Sequence, residues 1–209
     1  MSAGDTYLTI ETTSEGSYRE KASRFISFAY PVRSEEEVKQ ILSALKKKYF
    51  DANHHCFAWR LGADKKRFRA YDDGEPSNTA GIPILGQIRT RELSNILVVV
   101  IRYFGGTKLG ISGLINAYRT ASANALENSK IIEKTVDRIY ELKFPYPVMN
   151  DVMRIIKDEN LKIIKQNSYI DCCITISVRQ SLAPEVIAKL GKIGSVEVLG
   201  ITDMNISRA

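Results

Sequence analysis

Ile96 to Gly110 reads I-L-V-V-V-I-R-Y-F-G-G-T-K-L-G, and this segment decides the fold of the first part of the chain. Leu97 to Ile101 is rich in β-branched residues and too short to cross a membrane, so it predicts a strand that is covered on both faces. From Leu109 to Glu127 the apolar residues recur at helical spacing. The segment therefore predicts a central strand followed directly by a long helix.

The turn between this strand and this helix has an unusual composition. Arg102 and Lys108 bracket the pair Gly105-Gly106, which lets a ligand or another chain segment approach the backbone closely. The N-terminus of the following helix points its free N–H groups toward the turn, an arrangement suited to phosphate or carboxylate. The glycine spacing differs from that of a P-loop, which argues against nucleotide hydrolysis. Anion binding and tight packing with solvated charges both remain open.

Composition places the chain among ordinary globular proteins. Of its 209 residues, 44% are hydrophobic and 26% are charged, and no apolar run is long enough for a membrane span. The N-terminus carries acidic residues and does not resemble a signal peptide. The three cysteines form neither a disulfide framework nor a spaced set of metal ligands. We therefore expect a cytoplasmic protein without a metal or cofactor.

The positive charge is concentrated in the first part of the chain. Residues 1–136 contain twenty lysines and arginines against fifteen acidic residues, whereas residues 137–209 contain ten against nine. Such an excess attracts polyanions and favours a nucleic-acid partner over a neutral metabolite. The candidate contacts to nucleic acid or another anion are Arg60, Arg67, Arg69, Arg102, Tyr103, Gly105, Gly106, Lys108 and Arg119.

The elements that precede the central strand predict an α+β domain over residues 1–134. Ser34 caps a helix and Glu37, three residues later, completes a capping box. Alternating apolar residues predict the strands, and helical spacing predicts a second helix before the central strand. The predicted strands are Tyr7–Glu11, Ser23–Ala29, Cys56–Leu61 and Arg67–Tyr71, and the second helix covers about Thr79–Glu92. A short connector is predicted at Ile132–Val136.

Residues 137–209 predict a second domain with the element order βαββαβ. The strands are predicted at Arg138–Phe144, Leu161–Gln166, Tyr169–Val178 and Val196–Ile201, with helices at Asn150–Glu159 and Ala183–Leu190. This order is that of the ferredoxin-like fold, a four-stranded antiparallel sheet with two helices on one face. The fold hosts many functions and selects none of them.

Acidic and histidine-containing motifs offer further candidate residues. Asp73 and Glu75, within D-D-G-E-P, could bind a cation or act as an acid and base, or could end a strand and pair with arginines such as Arg102. His55 and Cys56 could take part in hydrolysis of a small substrate near the glycine turn, but adjacent ligands do not suit a metal site. No complete set of nucleophile, base and orienting group is visible, so the interpretation as an enzyme ranks second.

Together these motifs resemble the IMPACT/YigZ family. The resemblance is carried by D-D-G-E-P at Asp72–Pro76, T-A-G-I-P at Thr79–Pro83 and V-I-R-Y-F-G-G-T-K-L-G at Val100–Gly110, and it covers nearly the whole chain. It implies a UPF0029-type N-terminal domain, similar to the second domain of a small-subunit ribosomal protein, followed by a DUF1949-type ferredoxin-like domain. Both resemble neighbouring domains of elongation factor G. Asn78 replaces a usual glycine, a mild change because asparagine tolerates positive φ.

The resemblance also implies a function. It indicates binding to RNA or the ribosome with a role in translation regulation, in agreement with the uneven charge. Two alternatives stay open at the same residues. One is a small-molecule hydrolase that uses Asp73 and Glu75, and the other is a phosphate-binding protein that uses Gly105 and Gly106 without catalysis.

Overall fold

The computed structural model describes residues 5–168 and 171–201, and these form two compact units. The division falls between Lys134 and Thr135, beside the limits of 134 and 137 that the sequence suggests. Each unit has hydrophobic clusters of its own. The chain is α+β, as the sequence predicts.

The first unit is built on a five-stranded antiparallel sheet with the order β2-β3-β6-β4-β5. Two further strands, β1 and β7, pair with each other in a separate sheet. The strands are β1 (Thr6–Ile10), β2 (Ser14–Glu20), β3 (Ser23–Pro31), β4 (His54–Leu61), β5 (Arg67–Tyr71), β6 (Ile96–Tyr103) and β7 (Ile131–Thr135), and the helices are α1 (Glu35–Lys48), α2 (Gly81–Thr90) and α3 (Gly110–Glu127).

Strand β6 is the central strand and is buried on both faces, as the sequence predicts. Every residue from Ile96 to Ile101 is fully buried. Alternate side chains enter two different cores, because successive residues of a strand point to opposite faces. One face packs with residues of α2 and α3, and the other packs with residues of α1. The sheet is therefore a middle layer between helices.

Two strands of the first unit are absent from the sequence-based prediction. Strand β2 reads S-E-G-S-Y-R-E and is mostly polar. It joins β3 through Lys21 and Ala22, which both have positive φ without being Asn or Gly. Hairpin turns of that geometry usually carry Asn-Gly, so the ordinary turn signal is missing. Strand β7 occupies most of the region predicted as a connector. Its hydrogen-bonding partner is β1, which lies at the other end of the unit in sequence, so the local sequence does not indicate a strand here.

Helix α1 begins as its sequence indicates. The Ser34 side chain accepts a hydrogen bond from the Glu37 N–H at 3.2 Å, which satisfies one of the free donors of the first turn. The Glu37 carboxylate accepts from the N–H of Arg33 at 2.8 Å, one residue before the position that a standard capping box uses. Three lysines occupy the last turn, where they complement the helix dipole.

The second unit has the predicted ferredoxin-like topology. Its strands are β8 (Asp137–Pro145), β9 (Lys162–Ser168), β10 (Asp171–Arg179) and β11 (Glu197–Ile201), and its helices are α4 (Met149–Asp158) and α5 (Ala183–Gly191). The sheet order β11-β8-β10-β9 is antiparallel throughout. Residues 169 and 170, the first two of the predicted third strand, lie outside the described residues. No helix in the described ranges is long and apolar enough to cross a membrane.

Candidate functional site

The sequence motifs of the first unit meet at one end of its five-stranded sheet. At this end β6 stops, while β3 and β4 begin, so that Arg102 lies between Phe25 and His54 in the strand register. The loop from β5 to α2 carries D-D-G-E-P and reaches the same end, because β5 runs antiparallel to β4. The tertiary structure thus brings together residues as far apart in sequence as Phe25 and Arg102, which are separated by 77 positions.

Asp72 has a structural role at the start of α2. Its carboxylate accepts hydrogen bonds from the backbone N–H groups of Asn78 at 3.0 Å, Ala80 at 3.0 Å and Gly81 at 2.8 Å. A carboxylate in this position satisfies free donors and complements the positive end of the helix dipole. Asn78 adopts a φ of +63°, which asparagine tolerates, so the change from the family pattern is accommodated.

Asp73 ties its loop to the start of β4. Its carboxylate accepts from the His55 N–H at 2.7 Å, and its backbone carbonyl accepts from His54 Nδ1 at 2.8 Å. Lys46 of α1 approaches the same carboxylate at 3.8 Å. Through these contacts Asp73 holds the loop between β5 and α2 against the start of β4.

Glu75 forms a buried ion pair with Arg102. Its Oε1 accepts from Arg102 Nη1 and from the Tyr118 hydroxyl, each at 2.6 Å. The Arg102 guanidinium also lies 5.5 Å from the ring centroids of both Phe25 and Phe104. Arg102 is only 5% exposed and donates to Glu75 inside the protein, which does not favour the predicted contact with phosphate. The alternative interpretation, in which the acidic motif pairs with Arg102, agrees with the structure.

Cys56 and His55 are not set up for nucleophilic chemistry. The Cys56 thiol is buried, donates to the Asp72 carbonyl at 3.0 Å, and lies 3.3 Å from the Tyr118 hydroxyl. Burial raises the pKa of this thiol far above its ordinary value, so the reactive thiolate is disfavoured. Burial likewise lowers the pKa of His55, whose Nε2 donates to the Tyr49 carbonyl at 3.1 Å. These environments oppose the hydrolase alternative.

The glycine turn is shaped by backbone packing. A Cβ on Gly105 would lie 2.1 Å from the carbonyl carbon of Ala22, so only glycine lets the turn rest against the β2–β3 hairpin. Gly106 faces open space but has a φ of +82°. The Phe104 N–H donates to the Asn53 side chain at 2.7 Å. The turn is therefore fixed from both sides, and its outer part stays exposed.

We define the tip surface as Lys21, Arg24, Phe104, Gly106 and Lys108. The three cations are exposed, and none has a carboxylate within ion-pair distance in the described part of the chain. Phe104 is 45% exposed, whereas Tyr103 donates its hydroxyl to Asp51 at 2.8 Å. Phe104 is thus the more exposed of the two aromatic side chains. The sequence did not indicate Lys21 and Arg24 as contacts, because Lys21 lies in the β2–β3 hairpin turn and Arg24 follows it closely, and this turn lacks the usual sequence signal.

The remaining predicted basic residues lie elsewhere on the first unit. Arg67 pairs with Glu35 at 2.8 Å, and Arg69 lies 5.9 Å from the Tyr71 ring on the same edge strand, β5. Arg119 is exposed on α3. Arg60 is only 5% exposed and lies on the face of β4 that packs with α2, and its contact with an anion stays a prediction. The predicted residues therefore do not share one face.

Known proteins resemble this chain over most of its length. The model of the Impact N-terminal domain matches residues 21–126. The IMPACT family member YvyE of Bacillus subtilis (strain 168) is 32% identical over 163 residues, 78% of this chain and 75% of that protein. The IMPACT family member YigZ of Escherichia coli (strain K12) is 32% identical over 187 residues, 88% of this chain and 92% of that protein.

A solved structure agrees with this assignment. The crystal structure of a hypothetical protein matches with a TM-score of 0.75 and 29% identity, and the match covers 96% of this chain and 100% of that one. The residues that the family model matches include all the motifs that meet at this end of the sheet. This chain belongs to the IMPACT family.

Proposed function

We propose that this protein binds RNA on the ribosome through the tip surface and takes part in translation regulation. The observation that carries the proposal is the presence of three exposed cations without carboxylate partners, and of the exposed Phe104 ring, on the two loops that meet at Gly105 and on the strand that follows one of them. Cations contact phosphates of any sequence, whereas an aromatic face stacks on unpaired bases. This combination is typical of surfaces that bind single-stranded RNA.

Phe104 is prepared for stacking by the residue beneath it. The Arg102 guanidinium lies 5.5 Å from its ring centroid and is itself held by Glu75. A ring that packs on a fixed cation keeps its orientation, and it presents its remaining exposed area to a base. The bound conformation is thus largely formed in advance, which reduces the entropy lost on binding.

The family assignment supports the cellular setting. The IMPACT/YigZ resemblance indicates a role in translation, and ribosomes present both single-stranded and loop regions of RNA. The likeness of the first unit to a ribosomal-protein domain, and of both units to elongation factor G, remains a prediction. The positive excess of residues 1–136 provides long-range attraction to such a partner.

The proposal predicts a salt-dependent affinity that the tip cations control. Changing Lys21, Arg24 and Lys108 together to glutamine removes three phosphate contacts, so the slope of log affinity against log salt falls by about 2. Fluorescence polarisation of a labelled single-stranded oligoribonucleotide at several salt concentrations measures this slope, and sedimentation with ribosomes at two salt concentrations tests the larger partner.

A matched control separates this effect from net charge. Changing Lys39, Lys47 and Lys130 to glutamine removes the same charge from exposed positions outside the tip surface, and we expect a much smaller loss. Phe104→Ala, with its charge unchanged, weakens RNA binding by about tenfold because one stacking platform is lost. Equal losses in the two triple variants, or no salt-dependent binding by the unchanged protein, contradict the proposal.

A further inference from the structure

Arg60 is a buried cation that lacks hydrogen-bond partners for two of its three nitrogens among the described residues. It lies on β4 directly opposite Phe68 of β5, and the two side chains share the face covered by α2 because paired residues point the same way. The residue is 5% exposed, and neither Nε nor Nη2 has a hydrogen-bond partner among the residues described. Arg102 also has an Nε without a partner among the described residues, but its Nη1 is paired with Glu75 at 2.6 Å.

Two more cations and one carboxylate surround Arg60. Glu92 Oε2 lies 4.0 Å from Arg60 Nη2, too far for a hydrogen bond, and 2.5 Å from Lys65 Nζ. The Arg89 guanidinium lies 4.4 Å from the centre of the Phe68 ring, and its charge acts on Arg60. Three positive groups therefore face one negative group. The cluster therefore carries two positive charges in excess. The negative C-terminal end of α2 is equivalent to about half a charge, so it offsets only a small part of this excess.

Stability does not explain this arrangement. A buried guanidinium without hydrogen bonds costs free energy, and an apolar side chain of similar size would fill the space without that cost. Burial lowers the pKa of Arg60, which reflects the same penalty on its charged form. Glu92 is 65% exposed and adopts a φ of +55° just beyond α2, so its carboxylate stands at the outer side of the cluster.

We propose that Arg60, Lys65 and Arg89 bind a phosphate group of a single-stranded RNA nucleotide, that Glu92 occupies the position of this anion in the free protein, and that Phe68 stacks on the base. The bidentate geometry of a guanidinium suits phosphate oxygens, which supply the acceptors that Arg60 lacks. Phe68 is 48% exposed beside the cluster. The inference rests on the proposed RNA binding and adds a second contact point.

The second contact point lies at the opposite end of the sheet from the tip surface. Arg60 pairs with Ile96, where β6 begins, whereas the tip surface lies beyond Tyr103, where β6 ends. Eight residues of strand correspond to about 23 Å. One extended RNA strand bound at both points would therefore follow the length of the unit.

Removal of Glu92's charge tests the inference most directly. Glu92→Gln deletes the competing anion, so we expect the affinity for a single-stranded oligouridylate to rise by about fivefold and Arg89→Gln to lower it by about as much. Glu36→Gln makes the same charge change at a 69% exposed glutamate on α1, and we expect less than a twofold effect. Fluorescence polarisation at low salt measures all three affinities.

Titrations with free ligands distinguish binding of a phosphate group alone from binding of a whole nucleotide. Calorimetric titration with inorganic phosphate tests the charged cluster alone, and titration with uridine monophosphate tests the cluster together with stacking. We expect Phe68→Ala to weaken the nucleotide and the oligouridylate but not inorganic phosphate. Equal affinity changes in Glu92→Gln and Glu36→Gln overturn the inference, and they do so without affecting the salt-slope test of the tip surface.

Arg60→Met separates binding from a structural role. The substitution removes a buried charge without hydrogen bonds, so we expect an unchanged or higher melting temperature together with at least fivefold weaker oligouridylate binding. A lower melting temperature with unchanged binding shows a structural arginine and overturns the inference. The two proposals can fail separately. If the tip-surface triple variant loses RNA binding while Glu92→Gln and its control Glu36→Gln have the same affinity, the proposed function stands and only this second contact point is rejected.

Discussion

Glu75 controls the charge balance at the end of the sheet. It is the carboxylate that neutralises the buried Arg102, and the same oxygen accepts the Tyr118 hydroxyl. A buried charge that loses its partner keeps its desolvation cost without the compensating attraction. The ion pair therefore sets the conformation of the loop, the strand end and the ring of Phe104 together.

Glu75→Gln should strongly destabilise the first unit. Because Arg102 is left without a negative partner, we expect the free energy of unfolding to fall by about 3–5 kcal/mol, measured by urea denaturation. Glu36→Gln, at an exposed pair, serves as the control and should change it by less than about 0.5 kcal/mol. A second change, Arg102→Met, should recover part of the loss. Similar values for the two single variants contradict this account of Glu75.

At the scale of elements, the tip surface depends on how the β2–β3 hairpin meets the turn after β6. Lys21 and Ala22 form the hairpin turn with positive φ, and Gly105 packs directly on the backbone of Ala22. The contact brings the hairpin that carries Lys21 and Arg24 against the turn that carries Phe104 and Lys108. A tight backbone contact between two loops thus assembles cations from distant parts of the sequence.

The two glycines of the turn should respond differently to alanine. Gly105→Ala places a Cβ 2.1 Å from backbone, which forces the loops apart, and we expect a loss above about 2 kcal/mol. Gly106→Ala meets open space, so only its φ of +82° is penalised, by about 1 kcal/mol. Urea unfolding of both variants compares the two costs. Equal losses would show that packing on Ala22 does not matter.

At the scale of the whole molecule, the chain consists of two units with separate cores. The hydrophobic clusters of residues 5–134 contain no residue from the second unit, and the reverse also holds within the described ranges. The tip surface and the Arg60 cluster both belong to the first unit. The proposed RNA contacts therefore require only this unit.

A fragment of residues 1–136 should fold and bind RNA by itself. It contains the five-stranded sheet, its three helices and the β1–β7 pair, so its apolar faces remain covered. We expect cooperative urea unfolding and an oligoribonucleotide affinity within about threefold of the full chain. Circular dichroism and fluorescence polarisation measure the two properties. A fragment that folds but does not bind would assign RNA binding to the second unit.

The patterns that predicted the fold are local in sequence. The apolar run before Arg102 predicts a doubly covered strand, Ser34 and Glu37 predict a helix start, and the order βαββαβ predicts the second unit. The mostly polar strand β2 could not be found in this way, because it packs on α3 through Ser14 and Gly16 and its turn lacks Asn or Gly. Residue type also could not separate the exposed Lys108 from the buried Arg102.

The sequence by itself determined the hydrophobic cores, the two-unit α+β organisation and the family, because periodicity and contiguous motifs depend on neighbouring residues. Only the tertiary structure decided which charges are paired, buried or exposed. Glu75 meets Arg102 across 27 positions, and Arg60 is covered by α2, because burial and pairing depend on strand register and on the helix that packs above it. For this reason the basic residues predicted to form one surface lie at several separate places on the first unit.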